Sequence, residues 1–134
     1  MSGFSQAERL KILDHFTGEG TWTAPSATWV ALYSDYASAT GAGTELSGNN
    51  YARIECSAWN AAAASSTVGE ATNNGVITFA TATGAWTTVT CVGIYETLTA
   101  GTYIAYATIT AKTVEANDVV RIADTALKIK LKET

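Results

Sequence analysis

From Gly20 onward apolar and polar residues alternate in short runs, and this alternation is what most limits the folds open to the chain. Its clearest stretch is Ala126–Lys132, in which Leu127, Ile129 and Leu131 point one way and Lys128, Lys130 and Lys132 the other. A period of two belongs to a pleated strand with one dry and one wet face. Lysines on the wet face also discourage edge-to-edge aggregation if the strand borders a sheet. Further runs rich in β-branched and aromatic residues predict strands near Trp29–Ser34, Tyr51–Ala58, Val76–Ala80, Thr87–Tyr95, Tyr103–Thr110 and Val119–Ile122, separated by clusters of Gly, Asn and Ser. The pattern predicts a mostly β fold: an antiparallel, jelly-roll-like sandwich or a barrel.

Before Gly20 the period is helical. Ser5-Gln6-Ala7-Glu8 has the form of a capping box, in which the Ser5 hydroxyl accepts from the Glu8 amide and the Glu8 carboxylate reaches back to the Ser5 amide. Leu10, Leu13 and Phe16 then form a stripe with Ala7 and Ile12 beside it, Arg9, Lys11 and Asp14 decorate the rest, and Gly18 supplies a left-handed stop. One amphipathic helix over about residues 5–17 is predicted, ahead of a sandwich over about residues 20–132. A helix this short is marginal alone, so its apolar stripe is expected to dock on the sheet or on a neighbouring subunit.

The length of 134 residues suits a single domain with its own core. Charged residues make up only 15%, against a usual figure of about 25%, so the polar surface is built from Thr, Ser, Asn and Gly. Lys and Glu are depleted at the centres of interfaces, and a surface poor in them points to assembly. The net charge of −4 and the scattered basic residues leave no nucleic-acid footprint. The early apolar stretch Ala7–Phe16 is interrupted by Glu8, Arg9, Lys11 and Asp14, which fits neither a signal peptide nor a membrane span, so synthesis in the cytoplasm is expected. Two long segments, Asp35–Asn50 and Asn60–Gly75, read as surface loops available to partners.

No convergent chemistry is legible. The single histidine, His15, reads as a solvated helical residue. Glu45, Glu55, Glu70, Glu96, Asp118 and Asp124 are the carboxylates available to an acid–base pair, and all but Glu55 fall in loops or at strand ends, where acids serve turns and solubility. Gly41-Ala42-Gly43 lacks the Lys-Thr ending of a phosphate loop. Cys56 and Cys91 have no second Cys or His at ligand spacing; buried free thiols are the favoured reading and one disulfide the other. No catalytic residue, metal or cofactor is predicted. Of the four tryptophans, Trp29 and Trp86 are expected in the core, and Trp59, beside the alanine-rich loop, at the surface.

The order of segments carries a resemblance. A Leu-Lys-Ile-Leu-Asp-His-Phe helix from Leu10 to Phe16 precedes Trp29-Val-Ala-Leu-Tyr-Ser34 and Thr44-Glu-Leu-Ser-Gly-Asn-Asn-Tyr-Ala-Arg53. Ile77-Thr-Phe-Ala80, Gly84-Ala-Trp-Thr-Thr-Val-Thr90 and Val92-Gly-Ile-Tyr95 follow. Over nearly its whole length the chain resembles short virion proteins of tailed phages, labelled tail fibre or capsid decoration (cement) proteins. It departs from them in Cys91 and in Asp35-Tyr36, where an aspartate-proline pair is usual. The resemblance implies a non-enzymatic virion component. Lacking fibre-like length or repeats, the chain is expected to be a decoration protein on the capsid surface, with homo-oligomers, trimers above all, bridging the major capsid protein. A tail or fibre-associated protein and a carbohydrate-binding module are the alternatives. The expected contact residues are Leu10, Phe16, Tyr36, Leu46 and Trp59.

Overall fold

The computed structural model describes residues 2–41, 43–65 and 68–132. Residues 42, 66 and 67 of the two long predicted loops, and the wet-face assignment of the Lys132 side chain, lie outside what is described. Strand β1 (Ser2–Phe4) leads into helix α1 (Gln6–Thr17), followed by β2 (Trp29–Tyr33), β3 (Ile54–Glu55), β4 (Ala63–Ser65), β5 (Val68–Thr72), β6 (Ile77–Thr78), β7 (Thr87–Tyr95), β8 (Tyr103–Val114), β9 (Arg121–Ile122) and β10 (Lys128–Lys132). They form a five-stranded sheet in the order β1-β8-β7-β2-β3, a three-stranded sheet β10-β5-β4 and the pair β6-β9. All strand pairings are antiparallel. The fold is therefore mostly β with one short helix near its start, as the alternation predicts. It is not the alternative barrel: β1 and β3 remain as the two edges of the large sheet.

The large sheet is covered on both faces, which explains why β2 and the second half of β7 are buried at successive positions and do not alternate. Val30 and Leu32 of β2 join Val89, Val92 and Ile94 of β7 in a core shared with Ile77 of β6 and with Phe79 and Leu127, which adjoin β6 and β10. Ala31 and Tyr33 face the other way, into a cluster with Ala37, Cys91, Tyr95, Tyr103 and Tyr106. Trp86 is in the core as expected, donating through Nε1 to the Asn49 carbonyl at 2.7 Å and meeting Tyr51 edge-on at 5.4 Å between ring centroids. Trp29 is half-buried against the tyrosine-rich cluster. Cys56 and Cys91 are buried and free; burial pushes the Cys56 thiol upward.

Both predicted ends of α1 are present, with one change. The Ser5 hydroxyl accepts from the Glu8 amide at 3.2 Å, and Gly18 closes the helix at φ 84°. The reciprocal half of the capping box is missing, because the Ser5 amide donates to the Ile104 carbonyl at 2.8 Å and so continues the β1–β8 ladder. The freed Glu8 carboxylate accepts from Trp22 Nε1 at 2.7 Å and pairs with Lys11 at 3.5 Å. Ser5→Ala is expected to destabilise the protein by about 1 kcal/mol. Urea denaturation reads the loss, and faster amide exchange confined to the first turn of α1 would locate it.

Several strands differ from prediction. Tyr51–Ala58 contracts to β3, because Asn49 and Asn50 take left-handed backbone angles and Tyr51 and Arg53 turn into a polar cluster. The second predicted loop contains β4 and β5, which their Ala, Gly and Glu content conceals; pairing with β10 holds them. Asn73, expected in that loop, is fully buried: its side chain donates to the carbonyls of Gly75 (2.7 Å) and Ala123 (2.9 Å) and accepts from the Leu127 amide (2.9 Å). β10 does border its sheet, and its dry face fades outward from buried Leu127 to Leu131, which is 63% exposed.

On the wet face of β10, Lys128 and Lys130 both reach Glu70 of β5, at 3.0 and 3.1 Å. Hydrogen bonds from Lys128 and then Lys130 hold the Glu70 carboxyl below its ordinary range. A carboxyl that ionises more readily in the native state contributes its full stabilisation above the ordinary value of about 4.3 and loses it as pH falls through the lower native value. On acidification from about pH 6 to about pH 3, the melting temperature of the wild type should therefore fall further than that of Glu70→Gln. Equal slopes in paired thermal melts would remove this bridge from the account.

Candidate assembly surface

The helix stands off the body. Ser5 and Glu8 are buried and Ile12 half-buried, whereas Leu10 and Leu13 are 54% and 58% exposed and Phe16 is 90% exposed. Of the two expected resting places for this stripe, the chain's own sheet and a neighbouring subunit, the first is overturned. The side of the helix that meets the protein is the one bearing Glu8, and the chain after the helix folds back to brace it. There Trp22 donates its indole N–H to Glu8 and its amide to His15 Nδ1, at 2.7 and 3.3 Å. His15 is held locally by this bond. Leu10, Leu13 and Phe16 thus form a row of exposed apolar side chains, a candidate for contact with another chain.

The loop after β2 lies beside the start of α1. Gln6 donates its amide to the Ala39 carbonyl at 2.7 Å, and the Tyr103 hydroxyl donates to the Ser38 carbonyl. Tyr36 is 65% exposed on this loop. Its amide donates to Asp35 Oδ1 at 2.7 Å, a bond that a proline at this position has no N–H to make. The neck of the loop is tight: a Cβ on Gly43 would lie 2.7 Å from the Asp35 carbonyl oxygen.

An ion pair between buried Arg53 and half-buried Glu45 fixes the far end of the same loop. Arg53, 8% exposed, donates through Nε and Nη2 to the two Glu45 oxygens at 2.9 and 2.8 Å, and through Nη1 to the carbonyls of Thr97 and Ala100 at 2.9 and 2.8 Å. Its guanidinium carbon lies 3.4 Å from the centre of the Tyr95 ring. Burial opposes the charge, but the Glu45 hydrogen bonds and carboxylate, with Tyr95 and Tyr33, more than offset it and hold Arg53 above its ordinary value. Tyr51 donates to Glu45 Oε1 at 3.0 Å and accepts from the Leu32 amide at 2.9 Å; burial raises its hydroxyl above the ordinary tyrosine range. The arrangement ties the β7–β8 turn, with exposed Leu98, to the loop that begins at Tyr33. Nothing in the sequence announces it, because Arg53 finds two of its partners more than forty residues away.

Of the five expected contact residues, Leu10, Phe16 and Tyr36 are exposed. Leu46 is in the main core, 7% exposed, with its amide donating to the Leu32 carbonyl at 3.0 Å, so it offers no side chain to a partner. Trp59 packs partly buried against the same core, and its indole N–H donates to Thr28 Oγ1 at 2.9 Å. Its bridge to Asn73 draws it inward, away from the surface position expected of it. Leu13 belongs with Leu10, a step of three residues that places both on one helix face. Among the described residues no three of His, Cys, Asp and Glu gather into a group able to hold a metal ion, and no helix is long and apolar enough to cross a membrane.

Residues 3–130 match the model of the family described as podophage GP4 fiber I protein gp80. The chain belongs to this family. No curated protein matches the sequence. As a Gp80-family member it falls among the virion structural proteins of short-tailed phages, which the order of its segments anticipates. Within that reading the fibre name favours the fibre-associated alternative over the capsid decoration role preferred from the lack of repeats. Length and repeats describe the shaft of a fibre and say little of a folded unit within one. The match includes α1, Tyr36 and the Arg53–Glu45 cluster, so the exposed surface described above is part of the family's domain.

Proposed function

We propose that this Gp80-family chain is a non-catalytic structural subunit of the tail-fibre assembly of a short-tailed phage, acting through protein–protein contacts made by α1 and the loop bearing Tyr36. The observation that carries the proposal is the family match from residue 3 to residue 130, which takes in nearly the whole described body rather than a grafted segment. The exposed row on α1 supports it, since a helix held to its own body mainly by Ser5, Glu8 and Ile12 keeps its apolar side for another chain. A surface low in charge supports it as well, because little charge solvation is lost on assembly. A function of this kind is mechanical: many copies of a modest contact add up when the subunits are fixed relative to one another.

The test is where the protein sits in the virion and how many copies are there. Quantitative mass spectrometry of purified particles, with gold-labelled antibody in electron microscopy, should find it at the tail and in a simple ratio to tail components. Label spread over the shell, with copies in a simple ratio to the major capsid protein, would overturn the fibre reading in favour of decoration.

A further inference from the structure

The outward face of α1 has the pattern of a surface that recognises another copy of itself. At 3.6 residues per turn, Ser5, Glu8 and Ile12 fall on one side of the helix, the side that meets the body. Gln6, Leu10, Leu13 and Thr17 fall on the opposite side at alternating steps of four and three residues, the spacing of a coiled-coil seam. Arg9 and Asp14 flank that seam on its two borders, five residues apart. Among the described residues neither has an ion-pair partner, whereas Lys11 is occupied by Glu8. In two parallel helices packed along such a seam, the residue preceding the first core position of one helix faces the residue following the next core position of its neighbour. Here that brings Arg9 against Asp14. An antiparallel pair would set like charges together at these flanks, so the charge pattern selects the parallel arrangement.

We propose that copies of this chain associate in parallel through α1, with Leu10 and Leu13 forming the apolar seam and Arg9 of each copy paired with Asp14 of the next. The inference rests on the assembly role proposed above and names the partner of that surface. Phe16, beyond Leu13 on the Arg9 flank, extends the apolar strip toward the C-terminal end of the helix. The body leaves this face open, and each helix lends its neighbours the apolar cover that a three-turn helix lacks by itself.

The experiment is sedimentation velocity on the full chain up to about 1 mM, a range in which weak association still populates complexes. The proteins are the wild type, Arg9→Asp, Asp14→Arg and the double variant. Both side chains are exposed and, among the described residues, in no ion pair, so each variant should melt close to the wild type. The wild type should self-associate. Each single reversal sets like charges together and should weaken association about tenfold or more. The double variant, and an equimolar mixture of the two single variants, should recover it. A wild type that stays monomeric throughout, or self-association that ignores the reversals, or single-variant losses that neither combination restores, would overturn the proposal. Such a result with the protein still at the tail would remove this contact and leave the proposed function standing. Charge-dependent association with the protein on the shell would do the reverse.

Discussion

Arg53→Ala is expected to lower stability by about 3 kcal/mol, the lower end of the range for removing one partner of a buried ion pair because Glu45 keeps 27% of its side chain exposed, and the melting temperature by roughly 10 °C. The reason lies in what stays behind. Glu45 would keep a mostly buried carboxylate without its bidentate partner, and the Thr97 and Ala100 carbonyls would lose the donor they share. The Tyr95 ring would also lose the flat cation stacked on it. Arg53→Lys should recover little, since an ammonium cannot span two carboxylate oxygens and two carbonyls from one plane. Urea denaturation of Arg53→Ala, Glu45→Ala and the double variant forms a cycle, and the double variant should lose clearly less than the sum of the two. A loss below about 1 kcal/mol for Arg53→Ala would mean that the pair behaves as a surface bridge and does not hold the loop.

Gly93→Ala should cost about 3 kcal/mol, the upper part of the range for overpacking a core. Gly93 sits within β7 opposite Ala31, and a Cβ there would lie 2.5 Å from Tyr33 Cε2 and 2.7 Å from its hydroxyl oxygen. Tyr33 cannot move aside, for it is fully buried and its hydroxyl donates to that of Tyr95 at 2.7 Å. In a Tyr33→Ala background the same methyl group should cost under about 1 kcal/mol, because the space it needs is then open. Thermal melts of the four proteins decide the matter. An equal cost of Gly93→Ala in both backgrounds would show that the ring contact is not the cause.

These two sites mark the limit of what can be read without the fold. Arg53 and Glu45 lie eight residues apart on either side of a turn, and the sequence treats each as an ordinary surface charge. Their pairing depends on the β7–β8 turn folding over them. Gly93 interrupts an apolar run in β7 and reads as a weak strand position until Tyr33 of the neighbouring strand is placed beside it.

The expected contact residues divide along the same line. Leu10 and Phe16 are recognisable as a helical stripe, but whether the stripe faces the protein's own sheet or the outside was decided by Glu8. Its carboxylate found Trp22 and Lys11, and with buried Ser5 and half-buried Ile12 turned the opposite side of the helix inward. Leu46 and Trp59 look alike from sequence, each an apolar residue beside a polar loop, and both went inward because partners from distant strands were there to receive them.

What the sequence determined by itself is what local chemistry controls. The Ser5 cap and the Gly18 stop are set within a few residues, and a run of β-branched and aromatic residues bounded by turn residues places β7 at Thr87–Tyr95. The tertiary structure alone decided which faces are covered, that the alanine- and glycine-bearing β4 and β5 are strands, and that Asn73 and Arg53 are interior. Burial is a property of what packs opposite a residue, and here the opposite residue comes from tens of positions away along the chain.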